Sequence, residues 1–232
     1  MLAGVLKEKS TDVIIVDINI VLWILCIFSV GFTIEFERRA YLQLSAISKG
    51  LASISFVLIA TFSGIPTDSF GQLMCVGLLL SLFGDMFLVR MTPQALLLGL
   101  SAFLFAHIAY ALAFIVGSKK GDDTDLNGII FSVSTLILWA GGAKVYRWLY
   151  PSIPQKLRIP TIIYVIVIGL MGGAAYQRGV QDATWMLPIG ATLFWLSDIS
   201  VARRRFHEAG LSNRIWGLPA YYLAQLIFAQ SV

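Results

Sequence analysis

The chain is poor in charge, cysteine and histidine, and each shortage removes a class of protein. Only 13% of its 232 residues are charged, while 58% are hydrophobic and the mean hydropathy is +0.81. Soluble domains are about 45–50% apolar, so a soluble globular domain is excluded and no nucleic-acid partner is expected. The two cysteines, Cys26 and Cys75, fall in apolar runs and support neither a disulfide framework nor a cysteine metal site. Of the two histidines, His107 lies deep in an apolar run and His207 in a basic stretch, so the three-histidine set of zinc-dependent lipid hydrolases cannot be assembled. No metal or other cofactor is expected. A Gly-x-Ser-x-Gly elbow is also missing, and Ser81 and Ser197 have no histidine base at a defensible spacing, which disfavours a serine acyl-hydrolase.

What the chain has instead is apolar runs of membrane-spanning length, for which about 20 residues suffice. They read as Val13 to Gly31, Tyr41 to Phe62, Phe70 to Val89, Gln94 to Gly117, Leu126 to Leu149, Leu157 to Tyr176, Trp185 to Ala202 and Arg214 to Ser231. Turn and charge signals separate them: Glu35 to Arg39, Gly64-Ile65-Pro66, Thr92-Pro93, Lys119 to Asp125, Pro151 to Pro154, Arg178 to Asp182 and Arg203 to Asn213. The expected architecture is an all-α polytopic membrane bundle of eight transmembrane helices enclosing a lipid-accessible polar cavity, one transmembrane domain over 1–232. The first run follows Lys7 and Lys9 but ends without a small-residue cleavage pattern, so it reads as a retained span.

Basic residues set the orientation. Eleven fall after the odd-numbered helices, among them Arg38, Arg39, Arg90, Lys144, Arg147 and the run Arg203-Arg204-Arg205, against five on the opposite side. Both termini are therefore expected on the non-cytoplasmic face, with the arginine run as a positive-inside anchor. At a rise of 1.5 Å per residue, Asp85 and Asp198 then fall at comparable depths in the cytoplasmic half, level with Lys49, and His107 lies nearer the midplane.

Asp85 and Asp198 are the strongest chemical signal. They sit in related words, Leu82-Phe83-Gly84-Asp85 and Trp195-Leu196-Ser197-Asp198, each with an arginine five residues on, Arg90 and Arg203. A carboxyl at membrane depth costs roughly 2.5–3.5 kcal/mol on insertion scales and faces a partner or a cavity. The likeness of the two words fits a parallel four-plus-four repeat. Around the acids, Lys49 reads as a phosphate or carboxylate partner, His107 as the inner wall of the cavity, and Tyr110, Tyr164, Tyr221 and Tyr222 as hydrogen-bond donors to a head group or to the aspartates. Gln225 needs an interior partner because lipid offers none. A proton-coupled transporter or lipid receptor using the same two aspartates is the competing class.

The words Gly84-Asp85-Met86-Phe87-Leu88, Ala106-His107-Ile108-Ala109-Tyr110, Tyr164 to Gly172, Gly190 to Asp198 and Tyr221-Tyr222-Leu223-Ala224-Gln225 occur in that order. Together they resemble the lysoplasmalogenase family of integral membrane proteins, also called YhhN-like, over about Ser45 to Gln230. One departure is that Gly50 follows Lys49 where many family members have proline. The resemblance implies a lysophospholipid substrate, cleavage of its vinyl-ether bond to a fatty aldehyde and a glycerophospho-ethanolamine or glycerophosphocholine, and the two aspartates as catalytic pair. It fits an endomembrane such as the endoplasmic reticulum or a bacterial inner membrane. On that reading Asp198 is the proton donor and Asp85 the base, the rings of Phe194 and Trp195 offer π-faces to the developing cation, and Lys49, Lys144 and Arg147 are the candidate phosphate partners.

Overall fold

The computed structural model of the chain describes residues 2–62, 66–90, 92–116 and 125–232, with side chains from Ile18 onward. Eight α-helices run through the described residues: α1 (Leu2–Arg38), α2 (Leu42–Phe62), α3 (Ser69–Leu88), α4 (Pro93–Val116), α5 (Asp125–Leu149), α6 (Gln155–Gln181), α7 (Met186–Phe206) and α8 (Leu211–Gln230). Six of them, α1 to α6, are long and apolar enough to cross a membrane. Helices α7 and α8 carry the polar and basic residues Asp198, Arg203 to Arg205, Arg214 and Gln225, yet both pack into the same bundle. The protein is a helical membrane bundle. Its outer surface displays Phe28, Leu42, Leu97, Ile137 and Ile159, an apolar exterior suited to lipid.

Local chemistry explains where helices start. Asp68 accepts from the Gly71 amide at 3.3 Å to cap α3, and Thr92 accepts from the Ala95 amide at 3.2 Å ahead of Pro93, the first residue of α4. Three helices run further than their apolar runs. Glu35 pairs with Arg38 and Arg39, one turn apart, and carries α1 through a segment expected to be a break. Arg178 and Asp182 pair at the end of α6, and α7 continues through all three arginines to Phe206. The expected turn at Gly64-Ile65 and nearly all of the loop from Lys119 to Asp125 lie outside the described residues.

Neighbours in sequence pack as hairpins, α1–α2, α3–α4, α5–α6 and α7–α8, and α8 also meets α1, α2 and α3. The adjacencies recur on shifting by four helices: α1–α2, α2–α3 and α3–α4 become α5–α6, α6–α7 and α7–α8, and α2–α8 becomes α6–α4. That is the pattern a parallel four-plus-four repeat produces. The packing of α1 on α8 has no counterpart of comparable extent between α5 and α4, so the α8 side is more tightly closed than the α4 side.

Between α3 and α4 the approach depends on Gly77, where an added Cβ would stand 2.3 Å from the ring of Tyr110. Small residues allow such approaches in membranes, where packing rather than water exclusion holds helices together. Tyr110 is fully buried and cannot yield. Gly77→Val should therefore destabilise the bundle by about 1–3 kcal/mol, the usual cost of overpacking, read as a lower unfolding midpoint in detergent.

Candidate functional site

Asp85 lies near the end of α3, where it meets α2 and α8. Its Oδ1 is 2.9 Å from the Lys49 ammonium, and its Oδ2 accepts from Ser53 and Tyr221 at 2.7 Å each. Lys49 and Ser53 are four residues apart on α2, one turn, so both face α3. Lys49 also donates to the Asp85 carbonyl at 3.2 Å. Tyr222 is 3.4 Å from Oδ2 and is better matched to Ser53 at 3.0 Å and the Lys49 carbonyl at 3.2 Å. Lys49 and Asp85 are 4% and 2% exposed, and such a pair persists only when further hydrogen bonds saturate it.

Asp198, on α7, has different company. Tyr164 of α6 donates to its Oδ2 at 3.1 Å, and Nε2 of His107, on α4, stands 3.4 Å from the same oxygen. The Nδ1 of His107 is 2.5 Å from the Phe103 carbonyl. A carbonyl only accepts, so the proton assigned to this ring belongs on Nδ1. Nε2 then presents a lone pair to Asp198 unless one more proton lies between them. A bare carboxylate there would set two acceptors against each other, whereas a protonated Asp198 would donate to that lone pair.

The fully buried ring of Phe194 separates the two centres, packing 4.5 Å from His107 and 5.3 Å from Tyr221, centroid to centroid. Both carboxyl groups nevertheless line one cavity of about 160 Å³, together with Lys49, Tyr164, Trp195 and Tyr221. Its remaining wall is mostly apolar: Leu97, Leu100 and Leu104 on α4 face Val145 and Leu149 on α5 across it. Helix α5 packs on α6 and α7 and has no comparable packing on α4. The cavity therefore lies where the bundle is least closed, at the end carrying Arg205 and Arg214, which also line it.

Several expected positions shift. Of the two partners expected for Lys49, the structure supplies the carboxylate, that of Asp85. Lys144 and Arg147 are exposed and do not line the cavity. Tyr110 and Gln225 do not reach it either: Tyr110 donates to Gln225 at 2.7 Å in the core between α4 and α8, because each is the nearest partner the other has away from water. His107 and Tyr222 stand behind the wall, reaching the cavity only through Asp198 and Asp85. Ser81 turns to Tyr110, and Ser197 bonds back to the Phe194 carbonyl. Residues that sequence reasoning passed over as part of the site are Ser53, Arg205 and Arg214. The helical spacing from Lys49 signals Ser53, whereas nothing in the sequence favours Tyr221 over the adjacent Tyr222. Among the described residues, no three His, Cys, Asp or Glu side chains converge on a metal-sized site.

Comparison with known proteins adds a family. The YhhN family matches residues 44–232, all but α1, the turn after it and the first two residues of α2. Lysoplasmalogenase TMEM86A of Bos taurus is 31% identical over 164 residues, 67% of this chain and 63% of its own length, and the Homo sapiens protein of the same name is 28% identical over 162 residues. A lysoplasmalogenase of Mycobacterium tuberculosis (strain CDC 1551 / Oshkosh) is 25% identical over 173 residues, 74% of this chain and 63% of its own. The chain thus spans less than two thirds of the length of these relatives. No solved structure matches it.

The ion pair gives a stability test. Lys49→Met leaves Asp85 buried without its cation and should destabilise the protein by about 3–5 kcal/mol, whereas removing both charges in Lys49→Met/Asp85→Asn should recover much of that loss. Unfolding midpoints in detergent measure both, and a double variant as unstable as the single one would show that the pair is not what holds α2 to α3.

Proposed function

The chain belongs to the YhhN family, and from that membership and the two-acid cavity we propose that it is a lysoplasmalogenase, hydrolysing the vinyl-ether bond of lysoplasmalogens. The reading is carried by one observation: a single cavity, least closed between α4 and α5, holds two carboxyl groups with unlike partners, an ammonium at Asp85 and a tyrosine hydroxyl and an imidazole at Asp198. Two carboxyl groups in unlike surroundings divide acid and base roles.

Asp198 is the donor. It passes its proton to the alkene carbon remote from the ether oxygen, leaving an oxocarbenium centre beside that oxygen, and in the resting enzyme it donates that proton to the lone pair of His107. Trp195, in the cavity wall, supplies a π-face for the positive charge. Asp85 and Tyr221 orient water, and Asp85 takes its proton as the carbon–oxygen bond forms. Collapse of the hemiacetal returns the hydroxyl proton to Asp198, while the proton on Asp85 moves to the departing glyceryl oxygen. Both acids are thereby restored, and the net change is addition of one water. The apolar residues Leu97, Leu104, Val145 and Leu149 suit the alkenyl chain, which would enter sideways from the membrane.

Aldehyde release from 1-alkenyl-lysophosphatidylethanolamine by the purified protein, in excess chelator, tests this reading. Asp85→Asn and Asp198→Asn should each lose at least about 100-fold in turnover, within the range for removing a general acid or base. No aldehyde from folded wild-type protein would overturn the assignment. Hydrolysis in D₂O should place one deuterium on carbon 2 of the promptly trapped aldehyde, and aldehyde without deuterium there would exclude protonation at carbon.

A further inference from the structure

The basic end of the bundle is not evenly neutralised. Glu35 is matched by Arg38 and Arg39, and Glu208 by Arg203, in exposed pairs. Deeper in, Glu37 of α1 is approached through one and the same oxygen by Arg204 at 3.1 Å and Arg214 at 2.9 Å. Arg205 lies within electrostatic range of both Arg204 and Glu37, and it donates to the Leu88 carbonyl at the end of α3 at 3.1 Å. Three guanidinium groups thus gather around one carboxylate, and two of them, Arg205 and Arg214, line the catalytic cavity. The cavity is lined by three cations, Lys49, Arg205 and Arg214, against two carboxyl groups, and Lys49 cancels Asp85. The excess charge of the cavity is therefore cationic and sits at its mouth.

Spacing gives this charge a ligand. Arg205 is seven residues beyond Asp198 on α7, and Arg214 is seven residues before Tyr221, the partner of Asp85, on α8. Seven residues are two helical turns, so each arginine lies on the same face as its acid centre and ~10.5 Å along the axis. In a lysoplasmalogen, seven covalent bonds separate phosphorus from the alkene carbon that takes the proton, a reach of the same order. We infer that Arg205 and Arg214 form a clamp for the phosphodiester of the substrate, with Glu37 and the end of α3 holding the two guanidinium groups in place. The planar fork of arginine suits paired phosphate oxygens. The clamp makes the enzyme selective for alkenyl lipids that bear a phosphate over phosphate-free alkenylglycerols. This inference rests on the lysoplasmalogenase reading for its substrate, but its test does not need turnover.

The test is binding of a saturated analogue, 1-O-alkyl-lysophosphatidylcholine, which has no vinyl ether, compared with 1-O-alkylglycerol, on the full chain in nanodiscs. Wild-type protein should favour the phospholipid by at least about 10-fold, equivalent to ~1.4 kcal/mol. Arg205→Gln and Arg214→Gln should each erase most of that preference while retaining affinity for the alkylglycerol, which also reports that the variant is folded. Arg214→Lys should recover part of it. Equal binding of the two lipids by wild type, or preference undiminished in both glutamine variants, would overturn the clamp, whatever the aldehyde assay gives. Inorganic phosphate at the same concentration should leave the lipid bound. Displacement would make free phosphate the ligand and overturn the headgroup assignment.

Discussion

Everything in the acidic half of this bundle depends on the cost of a charge away from water. Lys49 and Asp85 are almost completely buried, and neither would be tolerated there alone. Together they bind α2 to α3, and the remaining carboxylate oxygen draws in Ser53 and Tyr221, so that α8 is tied to the same point. The pair is therefore the knot of a three-helix junction. It also determines what Lys49 is available for, because an ammonium that neutralises Asp85 and bonds its carbonyl has little left to offer a lipid phosphate. The anion-binding task falls to the guanidinium groups nearer the surface.

The second acid shows the same constraint met in another way. Asp198 has a tyrosine and a histidine where Asp85 has a lysine and a serine. Neither of these is a permanent counter-ion. The helix adjacencies repeat on a shift of four, so α2 and α8 around Asp85 correspond to α6 and α4 around Asp198. Within that repeated frame the two halves have diverged in the residues that touch the carboxyl groups. Phe194 keeps the centres apart, and the looser packing of α4 against α5, where the other half packs α8 closely on α1, leaves the cavity walled by leucines and valine.

Much of this was legible in the residues. Composition alone requires a helical membrane protein, since backbone groups in lipid must be satisfied within each segment, and the two buried aspartates stand out because charge at that depth is rare. Boundaries were less legible: apolar runs end at Gly31 and Tyr176, but i to i+4 ion pairs let α1 and α6 continue into charged sequence. Pairing was least legible. Tyr221 and Tyr222 are about 100° apart on one helix, and no property of the two residues says which meets Asp85 more closely. Lys144 and Arg147 were plausible phosphate partners by depth, yet they face outward because α5 turns its other side to α6.

The sequence by itself determined the environment and the inventory: a lipid-embedded helical chain, two acids, one lysine at their level and a basic end. Helix packing settles which groups share a carboxylate and which arginines reach the cavity. The reason is that depth follows from counting along a helix of fixed rise, whereas contact depends on the rotation and neighbours of each helix, and these are set by packing between segments distant in the chain.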